Sequence, residues 1–196
     1  NPNVPQTPSP ADVLDHLALR YSVGPKYLAE PAPTPAELLL ATRVALRAPD
    51  HGGLRPFRFV RVDASQRDRL GELFAQGARR RGRSEAEIEQ ARSRAHNGPA
   101  LLALVGRARA GVDDIPEIEQ WLCVGSGLMN FLNALHLMGY GAKCLSGASV
   151  RDTELQEAFC DEGEQLLAWI VMGTPTRSAH PKHEDDERQT LVDWQG

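Results

Sequence analysis

The chain has 196 residues, 41% hydrophobic and 24% charged, with a formal net charge of −4 and a pI near 5.9. Such a chain suits one domain with a sizeable core, leaves no room for a second full domain, and lacks the basic footprint of a nucleic-acid binder. The one dense basic run, Arg79-Arg80-Arg81-Gly82-Arg83, is followed at once by Glu85, Glu87 and Glu89 and reads as a solvated helix end. Three widely spaced cysteines, Cys123, Cys144 and Cys160, indicate neither a disulfide framework nor a zinc site, so a reducing cytoplasm is the expected location. No signal-peptide pattern is expected, and no membrane span: the longest apolar stretch is broken by Glu119, Asn130, Asn133 and His136.

Residues 1 to 10, with four prolines and no periodicity, read as an extended or disordered lead-in to a single domain over 11 to 196. Val13, Leu14, Leu17 and Leu19 recur at roughly helical spacing over 11 to 20, and Gly24-Pro25 stops that helix just after Arg20-Tyr21-Ser22. Thr34-Pro35-Ala36-Glu37 is a capping box with proline at the first helical position, predicting a helix that reaches Arg47. There the chain enters a basic, glycine-rich turn, Arg47-Ala48-Pro49-Asp50-His51-Gly52-Gly53-Leu54-Arg55-Pro56. Pro49 biases Ala48 away from helical geometry, and the glycine pair is expected to let backbone amides approach a ligand without Cβ interference. With donors from Arg47, His51 and Arg55, the turn suits anions and planar polar rings.

Alternation over Phe57 to Val62 predicts a strand, and Asp63 can cap the next element. Charged helices over about 65 to 81 and 85 to 95 precede Ala100 to Val105, an apolar run that suits a buried strand. From Asp114-Ile115-Pro116-Glu117 a long helix opens, with Trp121, Val124, Leu128, Phe131, Leu135 and Met138 on one stripe and Ile118, Leu122, Gly125, Met129 and Leu132 on another. A helix apolar on so much of its circumference is buried on most sides, as a central helix or a subunit interface. After Gly139-Tyr140-Gly141 come a short strand over 142 to 146, a helix over 152 to 159 and a buried strand over 166 to 172. The tail, about 174 to 196, is polar with a few apolar anchors and is expected to wrap a neighbour.

Four segments, in their order and spacing, together resemble the nitroreductase family of flavin mononucleotide enzymes, in particular its short bacterial members. The first is Arg20-Tyr21-Ser22, where the family shows Arg-Arg-Ser at the flavin phosphate and ribityl. The second is Leu28-Ala29-Glu30-Pro31-Ala32-Pro33-Thr34 with the later turn; by resemblance Arg47 and His51 contact flavin. The third runs from Met138 through Leu145-Ser146-Gly147, whose Ser-Gly would lie beside the isoalloxazine. The fourth is Val171-Met172-Gly173-Thr174-Pro175, after which Arg177 would reach the phosphate. Tyr21 replaces a family arginine, and Cys144-Leu145 stands where close relatives carry Trp-Arg, so a cation is lost at each end of the flavin site.

The resemblance implies an α+β fold with a central, mostly antiparallel sheet flanked by helices, around a long buried helix. It also implies a homodimer with two FMN at the subunit interface, NADH or NADPH as electron donor, and a nitroaromatic, quinone or similar flat acceptor. No side chain is expected to act as acid, base or nucleophile, because the flavin carries the redox chemistry. The alternative of a different class is a non-catalytic flavin-binding or storage protein, suggested by the cation missing at Leu145. A metal-dependent hydrolase built on His180 and His183 is remote: Pro181 lies between them and no helix holds them on one face.

Overall fold

The computed structural model describes residues 8–179, 181 and 186–196. Most of the expected lead-in, and both His180 and His183, lie outside the described residues.

Local signals start most helices where the sequence places them. Helix α1 (Pro10–Ala18) begins one residue inside the expected lead-in, because Ser9 caps it and Asp12 completes a capping box that the proline-rich composition hides. Helix α2 (Pro35–Ala45) starts from the Thr34–Glu37 box as expected. Helix α3 (Arg67–Arg80) begins two residues late, since Asp63 caps a short 3₁₀ turn over Ala64–Gln66 first. Ser84 with Glu87 boxes helix α4 (Glu85–Ser93), and Asp152 caps helix α6 (Thr153–Phe159). A last short helix, α7, spans Glu187–Thr190.

Five strands form one antiparallel sheet: β1 (Leu28–Ala29), β2 (Phe57–Val62), β3 (Ala100–Gly106), β4 (Gly141–Leu145) and β5 (Gln165–Pro175). β3 pairs with β2 and with β5; β5 also pairs with β4 and, at its C-terminal end, with β1. The closing strand is longer than its apolar run. It continues through Gly173 to Pro175 because Gly141 of β4 pairs with Gly173 and β1 pairs with Thr174 and Pro175, and glycine fits there because no Cβ would clear Pro99 and the Ala29 carbonyl. Leu167 is the extra residue of a bulge opposite Leu104 and Val105.

The continuous apolar runs of β3 and β5 follow from burial on both faces. Leu101, Ala103, Val105, Trp169 and Val171 face a core shared with Leu70, Phe74, Ile88 and Leu155 of α3, α4 and α6. Leu102, Leu104, Ile170 and Met172 face another, shared with Ala41 and Ala45 of α2 and Val124, Phe131 and Leu135 of the long helix α5 (Glu117–Leu137). Gly127 lets α5 sit against β2, since a Cβ there would run into the Phe57 ring. Only one side of α5 is covered in this way. Ile118 (65% exposed), Leu122 (64%) and Met129 of its second stripe stand on the surface, beside Leu39 (72%), Leu40, Val44 and Leu46 around α2.

Candidate functional site

The expected site residues fall into three places. Arg20, Tyr21 and Arg177 come together around a cavity of about 230 Å³ at the start of β4. Residues 20 to 24 are extended there and held to the sheet edge by the Val23 amide, which donates to the Ala142 carbonyl at 3.0 Å. The Thr176 amide donates to the Tyr27 carbonyl at 2.9 Å, turning the chain after β5 so that the Arg177 guanidinium lies 3.5 Å from the Tyr27 ring centroid. The Tyr21 hydroxyl sits 3.4 Å from the Arg177 carbonyl oxygen. Among the described residues no carboxylate lines this cavity, and neither Arg20 nor Arg177 has an ion-pair partner. Ser22 is exposed between them and lines neither this cavity nor the next.

Leu145, Ser146 and Gly147 line a second cavity of about 430 Å³ at the other end of β4. Its floor is apolar, from Leu101, Trp169 and Val171, and its far wall is made by Arg81, Arg94 and Asn97 at the ends of α3 and α4. The Trp169 indole donates to the Ser149 hydroxyl at 3.0 Å, which fixes the loop after β4. A Cβ built at Gly147 meets nothing within 4 Å, so the backbone edge is open. Leu145 itself is half-buried, packed toward the α3 side and paired with Trp169. Both cavities border β4, with Ala142 and Leu145 about 10 Å apart at strand spacing, but the two side chains face opposite sides of the sheet: Ala142 packs on the α5 side and Leu145 on the α3 side.

Arg81 and Arg94 were not singled out in the sequence, where the run around Arg81 reads as solvated. Arg79 and Arg80 are indeed spent on carboxylates, Glu72 and the Asp152–Glu154 pair. Arg81, 3.6 Å from Asp152, and Arg94, with only a long contact to Gln90, face the cavity. No periodicity marks them, because their meeting depends on how two helix ends converge over β4 and β5.

Arg47 and His51 lie elsewhere. α2 runs antiparallel to α5: the Tyr140 hydroxyl donates to Glu37 at 2.8 Å, and the Asn130 amide to the Val44 carbonyl at 3.2 Å. The turn after α2 therefore arrives at the start of α5, where His51 Nδ1 is 2.8 Å from the Glu119 carboxylate. His136, which lines the first cavity, is in the last turn of α5. From Glu119 to His136 the helix rises about 25 Å, so one chain does not bring His51 to either cavity. Among the described residues the Arg47 side chain bonds only the neighbouring Leu46 carbonyl.

The glycine turn also differs from expectation. Gly52, Gly53 and Arg55 have φ of 74°, 63° and 49°, and Asp50 takes up the turn's donors: its carbonyl accepts from Gly53 and its carboxylate from Leu54 and Arg55. A Cβ at Gly52 would meet the Ile115 side chain. These glycines make the turn and its packing, and of the pair's amides Asp50 takes up that of Gly53.

The three thiols are not poised as nucleophiles. Burial pushes Cys123, Cys144 and Cys160 above the ordinary range, and all three are free. No group of metal ligands occurs among the described residues, and no described helix is long and apolar enough to cross a membrane.

The fold is thus an α+β one, an antiparallel sheet flanked by helices, with an arginine-lined cavity and a part-apolar one at the two ends of its edge strand β4. The Nitroreductase family model matches residues 17–174, and the chain belongs to that family of oxidoreductases. It is 31% identical over 169 residues to YdjA of Escherichia coli (strain K12), named as a candidate NAD(P)H nitroreductase, covering 86% of this chain and 91% of that one. A Haemophilus influenzae protein named in the same way is 30% identical with the same coverage. Among solved structures, a nitroreductase-like family protein from Bacillus cereus superposes with a TM-score of 0.79 at 16% identity, over 99% of this chain and 100% of the other. A candidate nitroreductase from Desulfovibrio desulfuricans, solved in complex with FMN, gives 0.69 at 19% identity, over 96% and 98%. At such identities these structures establish the shared fold.

Proposed function

We propose that the protein is an FMN-dependent NAD(P)H oxidoreductase that passes electrons to a nitroaromatic, quinone or similar flat acceptor. The observation that carries this is the cavity at the start of β4, which Arg20 and Arg177 line with no carboxylate among the described residues, as the anionic end of a nucleotide cofactor requires. The second cavity, at the other end of β4, adds an apolar floor beside an open backbone edge. When bound, FMN accepts hydride from the nicotinamide and delivers electrons to the acceptor.

The chain's own groups hold and tune. Arg20 and Arg177 grip phosphate oxygens through charge-assisted hydrogen bonds, with nearby Ser22 as a further donor. Backbone at Ser146 and Gly147 bonds the ring edge, while Trp169 and Val171 keep water from one face. Arg81 and Arg94 supply positive charge on the side where Leu145 has none. Arg47 and His51 complete the site from a second copy of the chain, in a homodimer formed over the exposed apolar faces of α2 and α5, with residues 174–196 wrapping the partner. A cytoplasmic location belongs to the same proposal.

The test is the visible spectrum of the purified protein before and after anaerobic addition of NADH or NADPH. A yellow protein that bleaches supports the oxidoreductase. Yellow without bleaching favours flavin storage, the reading that Leu145 in place of a cation supports; a colourless protein that takes up no FMN overturns both.

A further inference from the structure

The first cavity holds two groups that the sequence did not single out. His16, in the last turn of α1, and His136, in the last turn of α5, stack with ring centroids 4.4 Å apart and planes 18° from parallel, and both line the cavity with Arg20 and Arg177. His136 Nε2 lies 2.7 Å from the His16 carbonyl oxygen. A carbonyl oxygen only accepts, so this nitrogen carries a hydrogen. Nδ1 of His136 is then a lone-pair acceptor in the neutral ring and becomes a donor only in the imidazolium.

We propose that the stacked His16–His136 pair is an anion-binding element of this cavity, taking up one proton when a phosphate monoester binds. The proposal rests on the flavin reading above. Both rings sit at helix C-terminal ends, whose partial negative charge repels an anion and favours a cation placed between. Among the described residues, the charged and titratable groups that line the cavity with the pair are Arg20 and Tyr21 from the segment after α1, Arg177 from the segment after β5, and Tyr140 after α5, whose hydroxyl is donated to Glu37. A phosphate dianion bound beside the pair would favour the charged form of an imidazole next to it. Two imidazoliums in a 4.4 Å stack repel, which limits the uptake to one proton. The pair thereby returns, in protonatable form, the positive charge absent at Tyr21.

A phosphate monoester reaches the protein as FMN or as the 2′-phosphate of NADPH, and the test separates them. Full-length protein freed of flavin is titrated with FMN and with riboflavin, which lacks the phosphate, at about pH 8 and about pH 6.5, the span in which histidine changes charge. The wild type should prefer FMN more strongly at the lower pH. His136→Gln should lose that added preference and weaken FMN by roughly tenfold with riboflavin unchanged. His136→Arg should restore the preference at both pH values, which also shows that the position tolerates substitution. If the FMN-to-riboflavin ratio is intact in His136→Gln but the flavin-loaded protein loses its NADPH-over-NADH preference, the phosphate is the nicotinamide's. A His136→Gln protein that keeps both ratios overturns the proposal alone. A wild type that binds neither flavin overturns the flavin reading and the proposal together.

Discussion

At the scale of single residues, charge without a partner is the informative quantity. Arg58, Arg80 and Arg92 are ion-paired with carboxylates, whereas Arg20 and Arg177 line a cavity with no such partner among the described residues. Arg20→Ala should therefore weaken FMN binding by more than about tenfold, read by fluorescence titration, because a phosphate dianion loses a bidentate partner. Ser22→Ala should cost less, about 1 kcal/mol for a single hydrogen bond; an unchanged FMN affinity in Arg20→Ala would remove that residue from the site. At the other cavity, on the proposed reading, Arg94 would supply the positive charge that Leu145 lacks. Arg94→Gln should lower the flavin midpoint potential and Leu145→Arg should raise it, since a nearby cation favours negative charge on the reduced ring. About 1.4 kcal/mol corresponds to roughly 30 mV for a two-electron couple, and potentiometry that shows no shift in either variant would place the cations away from the ring. Arg20 and Ser146 were legible because their motifs are contiguous. Arg94, His16 and His136 were not, because what makes them relevant is contact between segments far apart in sequence.

At the scale of elements, capping chemistry and apolar periodicity were legible because both are local. Thr34, Asp63 and Ser84 start their elements, and the run Ala100 to Val105 is apolar throughout because both its faces are covered. Where a residue's role depends on a distant neighbour, the local signal misleads: Gly173 reads as the end of a strand, and the Gly52-Gly53 pair as an anion cradle. The junction of α3 with α6 is another tertiary device. Asp152, 8% exposed, takes two hydrogen bonds from Arg80 at 2.7 and 2.8 Å, and a Cβ at Gly77 would meet its carboxylate. Burial alone would raise its pKa. The Arg80 hydrogen bonds, the Leu155 amide and the charges of Arg80 and Arg81 outweigh that and hold it below the ordinary carboxylate range. A folded-state pKa below the unfolded one contributes stability that is present above the unfolded value, about 3.9, and is lost as pH falls through the folded one. Asp152→Asn keeps the α6 cap but removes the charge. It should lower stability at neutral pH by about 1–3 kcal/mol, discounted because Arg80 is 40% exposed, and flatten the acid limb of a denaturation series. An acid limb as steep as the wild type's would assign the acid sensitivity to other carboxylates.

At the scale of the whole molecule, the exposed apolar surface and the scattered site both bear on the proposed homodimer. His51 sits about 25 Å along α5 from the first cavity, and α5 and α2 carry exposed Ile118, Leu122 and Met129, Leu39 and Val44; exposed apolar side chains grouped in this way mark interaction surfaces. A two-fold pairing over this face would cover it and would present the turn of one copy to the cavities of the other. The chain should then sediment near twice 21.5 kDa at micromolar concentration. Leu122→Glu tests the coupling of assembly to cofactor. Leu122 is 64% exposed within one chain, so the substitution leaves the fold of that chain intact while placing a charge in the proposed interface. Sedimentation should shift toward the monomer and FMN should be released in parallel, because the groups from the second copy leave with it. Removing residues 178–196, whose Leu191, Val192 and Trp194 are exposed in the single chain, should weaken both together and to a smaller extent. A folded monomer that retains FMN at wild-type affinity would overturn the shared site, leaving Arg20, Arg177 and the backbone after β4 as a complete flavin site within one chain.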